Sequence, residues 1–281
     1  MNDAVVVVGG GTMGAGIAQS MLEAGASVVL VEADSTRLDA ARGRVTDGLR
    51  RRFKSEADPD AACRPLLDRL RVVDRMEPNV EPALVVEAVP EDAALKRAVL
   101  GDVERTFGAV PLVATNTSSL SIDALAGSLT RPERFIGMHF FNPVPRSVLV
   151  ELVAGSATTP QAVEAAREWV GRLEKECIVV KDSPGFATSR LGVCIGLEAI
   201  RMVEEGVASP TDIDQGMVLG YKFPIGPLRL TDVVGLDVRL GIAEHLAKEL
   251  GPRFEPPQLL RDMVGAGDLG QKSGKGFYEW R

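Results

Sequence analysis

Residues Ala4 to Val8 read Ala-Val-Val-Val-Val and run straight into Gly9-Gly10-Gly11. β-Branched side chains favour an extended backbone, and a run with no polar position on either face suits a strand buried on both sides. Such strands belong to parallel sheets covered by helices. The glycines end the strand. An Ala-rich helical segment follows to about Ala24, with Gly25 placed as its C-cap. Strand, glycine turn and helix in this order leave few folds open.

Gly9, Gly11 and Gly14 form G-x-G-x-x-G in the setting that the motif requires, after a strand and at a helix start. Gly9 permits a tight turn, Gly11 lets the backbone approach a pyrophosphate, and Gly14 lets the helix sit close to the sheet. The helix N-terminus, with Thr12 and Met13 in its first turn, offers free N–H groups and partial positive charge to phosphates. A second apolar run, Ser27 to Val31, ends at Glu32. A carboxylate there accepts from both ribose hydroxyls and repels a 2′-phosphate, which favours NAD over NADP. The alternative for Glu32 is a solvated glutamate after a strand.

The alternation continues. Leu84 to Val89, Pro111 to Ala114, Phe135 to Phe141, Val148 to Val153 and Cys177 to Val180 read as strands, and Asp92 to Phe107 reads as a helix. Thr159-Pro160 and Ser209-Pro210-Thr211-Asp212 read as helix starts. Residues 34–70 break the rhythm with a long charged segment, read as a helical hairpin interrupted near Asp58-Pro59. Composition changes at Asp182-Ser183-Pro184-Gly185, and the pattern beyond is mainly helical. The reading is an α/β, Rossmann-type doubly wound sheet over 1–182 and a smaller all-α domain over 183–281.

A net charge of −7 argues against a nucleic-acid partner. No apolar run reaches membrane-spanning length, and the N-terminus lacks the basic start of a secretory signal. Cys63, Cys177 and Cys194 are odd in number and spaced for neither zinc nor a disulfide framework, so they read as buried, reduced thiols of a cytoplasmic protein. No metal site is expected.

Only two histidines are present, His139 and His245. Histidine is the natural acid–base near neutral pH. His139 ends an apolar strand before Asn142-Pro143, and ligands of such sheets bind at carboxyl strand ends. His245 lies beside Glu244 and Lys248 and reads as a surface residue. Glu151, inside Leu-Val-Glu-Leu-Val, is costly to bury without a partner such as an imidazolium. The competing readings are a satisfied core histidine and an edge-strand glutamate facing water.

These segments together resemble the 3-hydroxyacyl-CoA dehydrogenase family, including bacterial 3-hydroxybutyryl-CoA dehydrogenases. VVGGGTMGAGIAQ resembles its nucleotide fingerprint. TNTSSLSI, HFFNPVP, DSPGF, GYKFPIGPLRLTDVVGLD and GQKSGKGFYEW resemble its later motifs, in order along essentially the whole chain. The resemblance implies NAD-linked oxidation of (S)-3-hydroxyacyl-CoA to 3-oxoacyl-CoA in fatty acid metabolism, and a homodimer made mostly by the carboxy-terminal domain. It implies His139 as acid–base, Glu151 as the group that orients it, and Ser118 hydrogen-bonded to the substrate oxygen. Asn142 then contacts cofactor or substrate, and Glu91, Lys96 and Lys272 touch the cofactor. Ser189 stands where the family often has a substrate-contacting asparagine, and Val148 where many members have lysine. The basic run Arg50 to Lys54, with Arg51 and Lys54, faces either the phosphates of coenzyme A or solvent. Two other functions stay open: a dehydrogenase of free 3-hydroxy acids, and a non-catalytic NAD-binding protein.

Overall fold

In the computed structural model, which describes residues 4–280, Val5, Val6 and Val7 are completely buried. They form β1 (Ala4–Val8), flanked by β2 (Ser27–Val31) and β4 (Leu84–Glu87) in parallel register. Burying each such side chain contributes about 1.5–3 kcal/mol, which is why an all-valine run settles at the centre of a two-faced sheet.

Between the first strands lie α1 (Thr12–Glu23), then α2 (Leu38–Arg52), α3 (Pro59–Leu67) and β3 (Leu70–Val73). Asp58 caps α3 by accepting from the Ala61 amide, which explains the break in the charged segment. Leu70 opens a strand rather than closing a helix. β3 sits at the sheet edge, where a mostly part-exposed Leu-Arg-Val-Val gives no apolar run to recognise.

The chain continues through α4 (Ala93–Phe107), β5 (Val113–Thr115), α5 (Ile122–Ala126), β6 (Phe135–Phe140), β7 (Leu149–Ala154), α6 (Pro160–Arg172) and β8 (Glu176–Lys181). The sheet order is β3-β2-β1-β4-β5-β6-β7-β8. The first six positions follow the Rossmann order, and the switch point lies between β1 and β4. Two strands depart from the expected parallel pattern: β7 runs antiparallel to β6, and β8, parallel to β7, shares its direction. The link over residues 141–148 is too short for a crossover, which takes a dozen or more residues, so the chain turns back on itself.

Residues up to Asp182 form one compact unit and those from Ser183 another. The second holds α7 (Thr188–Glu204), α8 (Pro210–Gln215), α9 (Pro227–Val234), α10 (Leu236–Leu250) and α11 (Gln258–Gly265) around Val193, Leu197, Ile200, Leu228 and Leu246. Ser209 caps α8 through the Asp212 amide. His245, on α10, is half-buried rather than at the surface. Of the cysteines, all free, Cys63 is buried, Cys177 partly so, and Cys194 exposed, because it lies on the outer face of α7. Two of the three therefore depart from the buried expectation.

Two aspartates fasten the C-terminal segment of this unit. Asp232, 1% exposed, accepts from the amides of Phe277 and Tyr278 and from Trp280 Nε1 at 2.8–2.9 Å. Asp214 accepts from the Leu228 and Arg229 amides at the start of α9 and from the Tyr278 hydroxyl at 2.7 Å. Asp232→Ala leaves three part-buried donors without that acceptor. We expect it to cost about 3–5 kcal/mol, read as a lower urea midpoint for the carboxy-terminal unit.

Candidate active site

The carboxyl ends of β1, β4, β5 and β6 carry the residues singled out from the sequence. At β1, Gly9 has φ +112°, and a Cβ there would stand 2.6 Å from the Ala88 carbonyl oxygen, so only glycine fits. A Cβ on Gly14 would overlap the Gly9 carbonyl oxygen. Gly11 differs: a Cβ would meet nothing within 4 Å. No neighbour in the protein demands that glycine, which fits the expectation of a pyrophosphate held close to the turn. Gly11 is also the N-cap of α1 and supplies no side-chain hydrogen bond, so the first-turn amides at Thr12 and Met13 remain for an anion. Glu32 stands beside this turn, its two oxygens accepting from the Gly10 and Asp34 amides at 3.2 and 3.3 Å. Turn, helix start and carboxylate fit a dinucleotide with a free ribose diol.

The end of β4 holds a buried ionic cluster. Glu87 is completely buried; its Oε1 accepts from Lys96 Nζ at 2.8 Å and from the Val89 amide at 2.7 Å, and its Oε2 from Thr115 Oγ1 at 2.5 Å. Lys96, on the first turns of α4, is 1% exposed. Its ammonium also donates to the Val89 carbonyl at 3.1 Å and lies 3.4 Å from Glu91 Oε2. Lys96 therefore sits beneath Glu91 rather than at the surface. Lys96 and Glu91 stand out in the sequence, whereas Glu87 does not; its one signal is an acid ending the apolar run Leu84-Val85-Val86.

Glu91 collects donors from the turn after β5. Its Oε1 accepts from Thr117 Oγ1 at 2.7 Å, from the Ser118 and Ser119 amides at 2.9 and 3.1 Å, and from both serine hydroxyls at 3.2 Å. Burial works to raise the Glu91 carboxyl pKa. Lys96 and the hydrogen bonds from Thr117 and Ser118 outweigh it and hold the group below the ordinary carboxylate range. Its stabilising effect is complete above the usual glutamate value of about 4.3 and is lost only as pH falls through the lowered one. Asn116 joins the two strand ends, its Oδ1 accepting from the Phe140 amide at 3.0 Å.

His139 and Glu151 face each other directly across the antiparallel β6–β7 pair. His139 Nδ1 lies 3.1 Å from Glu151 Oε2, and the imidazole packs on Phe141 with centroids 4.5 Å apart. Glu151 is completely buried in a strand paired on both sides, so it is no edge residue facing water.

Asn142, exposed just past β6, joins Thr12, Gly16, Arg51, Arg52 and Arg146 around an open groove of about 710 Å³. Lys54 is exposed and outside this lining, and Arg50 is turned aside to Asp60 at 2.7 Å. Val148 is 68% exposed. In the helical unit, Ser189 lies in the first turn of α7, half-buried. There Lys272 Nζ binds Asp237 Oδ2 at 2.6 Å. Burial opposes the charge on Asp237, but that bond outweighs it and lowers its pKa.

Two family models match the chain: "3-hydroxyacyl-CoA dehydrogenase, NAD binding domain" over residues 4–183 and "3-hydroxyacyl-CoA dehydrogenase, C-terminal domain" over 185–280. A 3-hydroxybutyryl-CoA dehydrogenase of Mycobacterium tuberculosis is 38% identical over the full length of both chains. A probable 3-hydroxybutyryl-CoA dehydrogenase of Bacillus subtilis is 37% identical over 98% of this chain and 96% of its own. The crystal structure of (S)-3-hydroxybutyryl-CoA dehydrogenase from Ralstonia eutropha superposes with a TM-score of 0.93 at 39% identity, covering all of both chains.

The glycine turn generates a steric prediction. Gly14→Ala forces the Gly9 carbonyl aside, so dinucleotide binding falls below detection by calorimetry and the thermal midpoint drops. Gly11→Ala meets no protein atom and leaves that midpoint within about 1 °C of wild type, because surface changes of this kind stay within ~0.5 kcal/mol.

Proposed function

The chain belongs to the 3-hydroxyacyl-CoA dehydrogenase family, and from that premise we propose that it oxidises (S)-3-hydroxyacyl-CoA to 3-oxoacyl-CoA with NAD, and catalyses the reverse reduction. The observation that carries the chemistry is the buried His139–Glu151 pair at a carboxyl strand end. Bound NAD supplies the hydride acceptor. The glycine turn, the first amides of α1 and Glu32 hold it.

In this reading Glu151 fixes His139 through Nδ1, and Nε2 is the ring atom that meets the substrate. As the C3 hydride departs, His139 takes the proton of the 3-hydroxyl, and the Glu151 carboxylate offsets the charge that forms on the ring. In the reduction His139 returns that proton. Ser118, ordered by Glu91, hydrogen-bonds the substrate oxygen, and Asn142 contacts cofactor or substrate beside it. Ser189 has a single hydroxyl where an amide would offer both donor and acceptor, so its substrate contact is the weaker one. Lys272, its ammonium bound to Asp237, is read as a further cofactor contact.

The groove walled by Arg51, Arg52 and Arg146 supports a seat for the phosphates of coenzyme A, and Lys54, outside that lining, is read as a further phosphate contact. The relatives named for 3-hydroxybutyryl-CoA favour the four-carbon thioester as first substrate. Leu191, Leu219, Val233 and Val238 leave apolar surface exposed on the helical unit, which supports a homodimer through that unit. Three free cysteines suit a cytoplasmic setting. No helix among the described residues is long and apolar enough to cross a membrane.

The primary test is NADH consumption with acetoacetyl-CoA, beside acetoacetate and NADPH. Rapid loss only with NADH and the thioester is expected. Turnover of free acetoacetate would point instead to a dehydrogenase of free acids, and binding of NADH without turnover of any acyl-CoA would sink the assignment. His139→Gln is expected to lower kcat by about 10³-fold while NADH still binds. Reversing charge at Arg51 and Arg52 should raise KM for acetoacetyl-CoA about tenfold. It should leave KM for acetoacetyl-pantetheine, which lacks those phosphates, unchanged. Equal KM shifts for both thioesters would place the two arginines outside coenzyme A binding.

A further inference from the structure

Five residues form a closed ring at the ends of β4 and β5. Glu87 binds Lys96, and Lys96 approaches Glu91. Glu91 binds Thr117, the Thr117 amide donates to Thr115 Oγ1, and Thr115 returns to Glu87. Glu87 touches no solvent, and Glu91 alone opens outward, its side chain 36% exposed. The ring carries two carboxylates and one ammonium, so one negative charge is in excess. Glu87 Oε1 accepts from an ammonium and an amide, both obligate donors.

Lys96 is shared between the two acids, closer to Glu87 at 2.8 Å than to Glu91 at 3.4 Å. The uncompensated charge is thus displaced toward Glu91, at the crevice beside the switch point where a dinucleotide lies. The nicotinamide ring is cationic in NAD and neutral in NADH. Resting on the dehydrogenase reading above, we infer that Glu87 is a positioning residue that holds Lys96 back from Glu91, and that the freed Glu91 charge makes the site favour oxidised over reduced cofactor. Without Glu87, Lys96 belongs to Glu91 alone, and the ring becomes neutral.

The test compares dissociation constants for NAD and NADH, by calorimetry and NADH fluorescence, in wild type, Glu87→Gln and Glu87→Gln/Lys96→Met. In Glu87→Gln the ratio of the two constants should move about tenfold toward NADH, the scale of one partly screened charge pair. The double variant removes the ammonium too. It restores the excess negative charge, and its ratio should return to within about threefold of wild type, half a decade of affinity. A purely structural role for Glu87 predicts the opposite order, with both cofactors weakened alike and the double variant no better than the single. That result, or an unmoved ratio in Glu87→Gln, overturns the inference. If Glu87→Gln does not fold, the double variant decides alone, because a shifted ratio there contradicts the charge argument. Failure of the wild type to bind either cofactor would instead strike the dehydrogenase reading itself.

Discussion

A charged side chain taken out of water must meet a counter-charge, and the carboxyl edge of this sheet is organised around that requirement. The penalty for an unpaired buried ion runs to several kcal/mol, and removing one partner of a pair is worse than never burying either. Two buried acids have a basic side chain as partner, one at the end of β4 and one across β6 and β7. Lys96 is enclosed with Glu87, and His139 is set against Glu151. Neither acid lies on a loop. Each is held by the pairing of a strand between two others, so its position is fixed by the backbone ladder rather than by side-chain packing alone.

The reversal of β7 is what permits the second pair. In a parallel sheet the strand after β6 would return through a helix, and its directly opposed residue would come from far along the chain. The short turn over 141–148 brings the chain back at once, and the register sets Glu151 opposite His139. The same turn carries Asn142 and Val148 out of the sheet, toward the groove and solvent respectively. One short connection thus shapes both a buried pair and the wall of an exposed groove.

What the residues reveal in advance follows from how local each cause is. The all-valine run, the glycine turn and the capped helix starts are set by backbone and neighbour effects within a few residues, and they are legible. β3 was not, because an edge strand of Leu-Arg-Val-Val lacks the apolar excess that betrays a buried one. The reversal of β7 was not legible either, since an apolar run carries no mark of its orientation. Lys96 read as a charge at a helix start. Its burial depends on Glu87, which precedes it on another element and shows only as an acid ending an apolar run. Cys194 read as buried because helical pattern alone does not say which face of α7 is covered.

The glycine turn and the ring at β4 and β5 differ in what they ask of a cofactor. The turn answers to phosphate, a group common to many nucleotides, through amides that any helix start provides. Glu91 is of another kind. One of its oxygens takes five donors from the Thr117-Ser118-Ser119 turn, while the other faces Lys96. Its geometry is fully determined before any ligand arrives, so little reorganisation is left to perform on binding, and preorganised charge of this kind acts at full strength where the charge of the reacting group changes. A hydride transfer between a cationic and a neutral ring is such a change. The generic turn therefore accounts for holding a dinucleotide, whereas the ionic ring supplies what the turn lacks, a response to its oxidation state.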